Sequence, residues 1–279
     1  MQTMKCGRFT LALDRARIMG IVNLTDDSFS GDGMGSRIDA ALRRAEEVVR
    51  EGADILDLGG ESSRPGAEPV PEQQELDRVI PLVERLAGGP VPVSIDTVKP
   101  AVMRAALRAG ASMINDINSF RASGAIEAVL GTDAALCVMH MQGEPRSMQS
   151  NPRYEIVVGE VLAFLDARVG ALRAAGVSAD RLAIDPGFGF GKTLEHNLEL
   201  FRALHRFVAT GLPVLIGVSR KSMIGTITGR PVGERASGSV AAAMMAVQRG
   251  ARIVRVHDVA ATRDALGVLE AVEGLPVTE

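Results

Sequence analysis

The chain has 279 residues, 46% of them apolar and only 3% aromatic, with no tryptophan, so its core must be aliphatic and rich in Ala and Met. Acidic and basic residues are interspersed and the net charge is −3, which argues against a dedicated nucleic-acid or membrane-surface binder. Cys6 and Cys137 lie far apart without metal-ligand spacing, and with neither a basic leader nor an apolar run of ~18 residues the chain reads as a soluble cytoplasmic protein with reduced thiols.

Residues Cys6 to Leu13 alternate loosely and predict a short strand that closes the bottom of the fold. Arg17 to Asn23 is an apolar strand, followed by a polar loop from Leu24 to Gly33. Helical spacing runs from about Ile38 to Glu51, and Asp54 to Gly59 is the next strand. After the loop Gly60 to Ala67, Pro71 opens an amphipathic helix that ends near Leu86. The pattern then repeats. Strands at Pro92–Asp96, Ser112–Asp116, Ala134–Met139, Leu182–Asp185, Pro213–Gly217 and Arg252–Val256 alternate with helices. These helices cover about Pro100–Ala109, Ala125–Leu130, Tyr154–Ala175 and Leu194–Val208, a region to Arg249 broken near Gly229-Arg-Pro231, and Thr262–Val272.

Strands that alternate with helices pair in parallel, because a parallel neighbour requires a crossover. About eight such units in one chain of this length predict a single (β/α)8 TIM barrel, for which ~250 residues is ordinary. No composition break marks a second domain, so residues 1–279 read as one domain, with 1–16 as an N-terminal strand segment and 17–279 as the barrel.

Active residues of such a barrel stand where strands meet the following loops. Those positions hold Asn23, Gly59, Asp96, Asn115-Asp116, Met139-His140, Asp185, Gly217 with Ser219-Arg-Lys221 beyond it, and Arg255-Val-His257. Asp96, Asn115, Asp185 and Lys221 offer acceptors, an amide and a cation, a set suited to a flat heterocycle such as an amino-oxo pyrimidine. Each acid taken alone has a plainer reading as a cap or turn brace, strongest for Asp116. Asn23, Ser63, Arg64, Arg255 and His257 form an anion set, with forked guanidinium donors and a cationic imidazole, fit for a phosphate or diphosphate. Asn23 alternatively offers its carbonyl oxygen to Mg²⁺ carried mainly by a diphosphate. The Arg-x-His spacing puts both side chains on one face of the last strand.

The stretch Ala183-Ile-Asp-Pro-Gly-Phe-Gly-Phe-Gly-Lys-Thr193 imitates a nucleotide loop, but Pro186 stands where the phosphate-cradling pattern needs its first glycine. Lys192 therefore reads as the first-turn lysine of a helix. His196 and His205 read as surface or packing residues, and no histidine spacing supports zinc. No Ser–His–acid or Cys–His triad can be argued, which points away from covalent hydrolysis and toward group transfer with an anionic leaving group.

Ile18-Met-Gly-Ile-Val-Asn-Leu-Thr-Asp-Asp-Ser-Phe-Ser30, Gly59-Gly-Glu-Ser-Ser-Arg-Pro-Gly-Ala67, Ser94-Ile-Asp-Thr97, Asn115-Asp-Ile117, Met139-His140, Asp185-Pro-Gly-Phe-Gly-Phe-Gly191, Ser219-Arg-Lys-Ser222 and Arg255-Val-His257 occur in this order. The set resembles the dihydropteroate synthase family from about residue 17 to the end. The resemblance implies condensation of p-aminobenzoate with 7,8-dihydropterin-6-ylmethyl diphosphate, with Mg²⁺ as cofactor, inhibition by sulfonamides and a homodimer. It implies Asp96, Asn115, Asp185 and Lys221 as pterin ligands, with Ile117, Met139, Phe190 and Gly217 lining the ring slot. Arg255 would stack on the ring and face the diphosphate, with Asn23, Ser63, Arg64 and His257 also at the diphosphate and Asn23 at the metal. Asp96, Lys221 and Arg255 would carry catalysis. Thr25, Phe29, Ser63, Pro65, Lys221 and Ser222 would form the p-aminobenzoate site. Asp26, the order Gly31-Asp32-Gly33, and Ser63 in place of a frequent Thr depart from the family pattern. The first two bear on the first loop, whereas Ser63 keeps the hydroxyl. A methyltransferase on the same kind of barrel is the rival enzyme. It shares the ring ligands but has no use for the anion set. A silent pterin-binding relative would be expected to lack at least one ligand.

Overall fold

A computed structural model of the chain describes residues 2–24, 34–64 and 66–274. The N-terminal segment is a hairpin, β1 (Thr3–Cys6) and β2 (Phe9–Ala12), paired antiparallel from Thr3↔Ala12 to Cys6↔Phe9. The single strand expected from Cys6 to Leu13 is thus corrected. The chain reverses through the two-residue connection Gly7-Arg8, where Gly7 takes the left-handed φ of 58° that a tight turn needs.

Eight strand–helix units follow. The strands are β3 (Arg17–Asn23), β4 (Ile55–Gly59), β5 (Val93–Asp96), β6 (Met113–Asp116), β7 (Ala135–Met139), β8 (Leu182–Asp185), β9 (Leu215–Ile216) and β10 (Ile253–Val256). Between them lie α1 (Met34–Arg50), α2 (Glu72–Leu86), α3 (Pro100–Ala109), α4 (Ala125–Val129), α5 (Val157–Ala174), α6 (Leu194–Arg202), α7 (Leu204–Val208), α8 (Ser222–Thr228) and α9 (Ala236–Gln248), with α10 (Val259–Val272) last. The strand order is β8-β7-β6-β5-β4-β3-β10-β9, all parallel. A parallel bridge between Ile184 and Val214 joins the two ends and makes the sheet a nearly closed barrel. The helical region expected over Leu194–Val208 is two helices that meet at Ala203, and the break near Gly229 falls where α8 ends, with Gly229 at φ 70°.

Side-chain alternation divides each strand between two cores. Ile18, Val22, Leu56, Leu58, Ile95, Ile114, Leu136, Val138, Ile184 and Val254 pack outward against the helices. Met19, Ile55, Met113, Ala135, Cys137, Ala183, Leu215 and Ile253 face inward and meet Met4, Cys6 and Leu13 of the N-terminal segment. The hairpin therefore plugs the bottom of the barrel. Two residues further along the same inward faces come Asp57, Asn115, Met139, Asp185, Gly217 and Arg255. One end of the barrel interior is apolar and sealed, and the other is polar.

Met4 is fully buried in the plug. Met4→Ala should cost about 2–5 kcal/mol of stability, read as a lower midpoint in chemical denaturation. An unchanged midpoint would contradict the sealing role of the hairpin.

Candidate active site

Arg255 enters the barrel from β10 and is clamped between two carboxylates. Its Nε donates to Asp57 Oδ2 at 2.6 Å and its Nη2 to Asp96 Oδ2 at 2.9 Å. Asp57 is wholly buried, and its Oδ1 has no hydrogen-bond partner among the described residues. Asn115 Nδ2 lies 3.5 Å from Asp57 Oδ2, a long approach that leaves the amide available to a ligand. Burial pushes the Asp96 carboxyl up to about 7, with Arg255 opposing the shift and the neighbouring Asp57 charge adding to it. Two acids and one guanidinium sum to a net negative charge when both acids are ionised. One member of such a group therefore sits poised to take a proton near neutrality.

Asp57 was missed by a search confined to strand ends, because it lies inside β4. The available signal was an acid in the middle of the apolar run Ile55-Leu-Asp-Leu-Gly59, where an unanswered charge would be costly.

Asp185 closes β8 with Oδ1 accepting the Gly187 N–H at 2.7 Å. Its burial raises the carboxyl pKa, and the Lys221 charge works against that rise. Lys221 stands at the N-terminus of α8, donates to the Phe188 carbonyl, and places Nζ 4.3 Å from the centre of the Phe190 ring. Burial brings its amine down to about 8. Gly217 lies between the two cations. A Cβ there would be 3.9 Å from both Arg255 Cβ and Lys221 Nζ. Ile117, Met139 and Phe190 form one apolar cluster, joined by Met141, Met148 and Val98, which the sequence reading had not named. Asp96, Asn115, Asp185, Lys221 and Arg255 thus gather at the polar end of the barrel, with Lys221 in contact with the apolar cluster through Phe190.

The glycines after β8 are required by close backbone approach. A Cβ on Gly187 would lie 1.9 Å from the His140 carbonyl oxygen, and one on Gly191 would lie 2.4 Å from that of Gln142. Both have left-handed φ angles, 72° and 61°. Lys192 is the main correction in this segment. It is 3% exposed, and its Nζ is surrounded by backbone carbonyls and the His140 ring instead of lying on a helix surface. The cap of α6 is Thr193, whose side chain accepts from His196 N while His196 Nδ1 accepts from Thr193 N. His196 therefore has the structural role expected of it. Asp116 is likewise a turn brace, accepting the N–H groups of Asn118 at 2.7 Å and Phe120 at 2.6 Å.

Beside Arg255 lies the anion side. Asn23 ends β3, and a Cβ on Gly59 would sit 3.9 Å from Asn23 Oδ1 and 3.8 Å from Asp96 Cβ, so the Asn23 amide adjoins the carboxylate cluster. Ser63 is half-buried and Arg64 exposed on the loop after β4. That loop is held at its base by Glu61, which accepts from Val70 N at 2.8 Å and from Lys99. Arg220 has a left-handed φ of 58°, with its N–H on Ser239 Oγ at 2.9 Å and its guanidinium paired to Asp258. The Asp258 pair answers this cation, whereas Arg255 is paired with Asp57 and Asp96 inside the barrel. Ser222 opens α8 as an exposed residue beside Lys221. Thr25, Phe29 and Pro65, together with the departures Asp26, Gly31 and Asp32, lie outside the described residues.

The expectation of a cationic His257 is also corrected. Its Nδ1 lies 3.0 Å from Ser219 Oγ, and burial, reinforced by Arg255 and Arg220, pulls the imidazole down to about 4. The ring is neutral at pH 7 and serves as a hydrogen-bonding group.

A polar mouth on a parallel barrel, with paired acids, a guanidinium and a lysine beside an apolar cluster, is the architecture of a barrel enzyme whose site lies at the strand C-terminal ends. Residues 19–257 match the family described as pterin binding enzyme. The chain is 52% identical to the dihydropteroate synthase of Neisseria meningitidis serogroup C over 96% of both chains. It superposes with a TM-score of 0.89 on a Burkholderia cenocepacia dihydropteroate synthase complexed with 7,8-dihydropteroate, at 53% identity over 98% of this chain and 97% of that one. For a Xanthomonas albilineans dihydropteroate synthase with 4-aminobenzoic acid the TM-score is 0.92, at 50% identity over 98% and 99% of the chains. The chain belongs to the pterin-binding enzyme family and, within it, to the dihydropteroate synthases.

A direct check on the site is the titration of His257 by NMR. The ring should remain neutral from pH 8 to about 5, against an ordinary value of 6.5. The native state then binds fewer protons than the unfolded chain between about 4 and 6.5, so this group makes stability rise with pH across that window. A midpoint near 6.5 would contradict the buried placement.

Proposed function

We infer that this chain joins p-aminobenzoate to 7,8-dihydropterin-6-ylmethyl diphosphate, releasing diphosphate and forming 7,8-dihydropteroate. The observation that carries this reading is the set Asp96, Asn115, Asp185, Lys221 and Arg255 at the polar end of the barrel, beside the Ile117–Met139–Phe190 cluster. Asp185 and Asn115 answer the amino and ring N–H edge of the pterin, and Lys221 donates to its carbonyl edge. Arg255 lies along the ring and reaches toward the diphosphate. Asn23, Ser63 and His257 supply amide, hydroxyl and imidazole donors there, and Arg64 adds charge at the rim.

The bond between the pterin methylene carbon and the diphosphate oxygen breaks, and its electron pair leaves with diphosphate. Positive charge that develops on the methylene spreads into the pterin ring, where ionised Asp96 favours it. The arylamine nitrogen then bonds to that carbon and loses a proton. Thr25, Phe29, Ser63, Pro65, Lys221 and Ser222 hold the p-aminobenzoate, and sulfonamides compete for the same place.

Mg²⁺ fits the donor set as an ion carried by the substrate. Asn23 offers one neutral oxygen at the mouth, beside Gly59 and the carboxylate cluster. Among the described residues no group of three or more His, Cys, Asp or Glu is arranged for a metal. The ion would therefore be held mainly by diphosphate, with Asn23 as its protein ligand, and would neutralise charge on the leaving group.

The enzyme works as a cytoplasmic homodimer. No helix among the described residues is long and apolar enough to cross a membrane, and Cys6 and Cys137 are buried free thiols. Met245, Val268 and Val272 expose apolar surface on α9 and α10, suited to a second copy.

Diphosphate release measured with the dihydropterin diphosphate and p-aminobenzoate, with and without Mg²⁺, tests the reading. Turnover should require both substrates. Methyl transfer from a methylated folate in place of diphosphate release would overturn it. Asp185→Ala removes an acceptor of charge-assisted hydrogen bonds worth about 1.5–3 kcal/mol each, so kcat/KM should fall by about a hundredfold or more. Near-normal activity would refute the placement of the ring.

A further inference from the structure

Lys192 has no part in the chemistry above, yet it is among the most buried charged residues of the chain. Its Nζ lies 2.9 Å from the Gly187 carbonyl oxygen, 3.0 Å from that of Phe190, 3.3 Å from that of His140, and 2.9 Å from His140 Nδ1. An ammonium has three protons, and here four acceptors surround it. They come from two places, the exit loop of β8 and the end of β7.

The same short loop supplies three of the site's functional placements. The Gly187 N–H holds Asp185 Oδ1 at 2.7 Å, the Phe188 carbonyl accepts from Lys221, and the Phe190 ring lies under Lys221 Nζ. Around this point the chain is tied again. His140 N donates to the Asp185 carbonyl at 3.0 Å, Asn197 Oδ1 accepts from Gly189 N at 2.8 Å, and Tyr154 Oη donates to the Gly191 carbonyl at 2.8 Å.

We propose that Lys192 is a positioning residue of the pterin site. Its ammonium gathers the carbonyls of Gly187, Phe190 and His140 with His140 Nδ1, and so fixes the loop path that sets Asp185, Lys221 and Phe190 around the ring. With three carbonyls converging, a loop without the cation would have to turn these oxygens outward, and the Phe188 and Phe190 positions would move with them. Burial pulls the Lys192 amine well below its ordinary value, with the Asp185 charge opposing that fall; with three carbonyls accepting from a protonated Nζ, His140 Nδ1 is the acceptor of the fourth contact and the ring proton lies on Nε2. Burial, with the Lys192 charge adding to it, pulls His140 down to about 3, so the ring is neutral.

The proposal rests on the pterin reading of the site, and the two can fail separately. Lys192→Met replaces the ammonium with an apolar chain of similar length. KM for the pterin diphosphate should rise about ten- to a hundredfold, with KM for p-aminobenzoate unchanged and kcat lowered less than the pterin KM is raised. Hydrogen exchange at the Gly187 and Gly189 amides should quicken while β3 and β4 keep their protection. A folded Lys192→Met with wild-type pterin KM and exchange would overturn the proposal. Failure of wild-type enzyme to bind the pterin at all would overturn the functional reading instead.

If the variant does not fold, the wild-type protein still decides. Reductive methylation should label the half-exposed Lys5 and spare Lys192, and ¹⁵N NMR should show His140 Nδ1 without a proton from pH 5 to 9. Labelling of Lys192 at the Lys5 rate, or a protonated Nδ1, would contradict the assigned contacts.

Discussion

One guanidinium held between two buried acids sets the geometry of everything at the barrel mouth. Arg255 reaches across from β10 to Asp57 on β4 and Asp96 on β5, so three strands are linked by charge inside the barrel. Removing these ions from water is expensive, and their mutual attraction offsets the expense only with good geometry and further hydrogen bonds. Among the described residues Asp57 Oδ1 is left unanswered and Asn115 stands at a long approach. Such a buried, incompletely answered group is uncommon in folded proteins and marks the cluster as a functional centre rather than a stabilising one. The guanidinium is held by two acids within the protein itself, so its direction is set by the fold.

The rest of the fold makes that cluster possible. Met4, Cys6 and Leu13 seal the opposite end with an apolar layer, which confines polar groups to one mouth. A strand's inward face changes from apolar to polar over two residues: Ile55 to Asp57, Met113 to Asn115, Ala183 to Asp185, Ile253 to Arg255. The loops then complete the slot from above. Gly187 and Gly191 admit a backbone path that any Cβ would block, and Glu61 with Lys99 anchors the loop that carries Ser63 and Arg64.

Much of this was legible in the sequence because two regular signals coincide. The strand–helix alternation fixes a parallel barrel, and the barrel rule points to strand ends, which yielded Asp96, Asn115, Asp185 and Arg255 directly. Asp57 escaped that rule because it lies one layer deeper, inside a strand. Lys192 was misread because a lysine before a helix is usually solvated. Only the folded path of residues 187–190 shows that it points into a nest of carbonyls. The charge of His257 could not be read from Arg-x-His spacing either, since burial decides it. The N-terminal reversal was hidden because Gly7 interrupts an alternation that otherwise continues on both sides.

The central claim is that the Asp57–Arg255–Asp96 cluster is the pre-set framework of the pterin site, and Asp57→Asn tests it most directly. This substitution keeps the shape of the side chain and removes the buried charge that holds Arg255 from below. Calorimetric titration of the folded variant with the dihydropterin diphosphate should show affinity about tenfold or more weaker than wild type. Wild-type affinity in a variant that melts cooperatively would show that the site does not depend on the cluster, and would contradict the account.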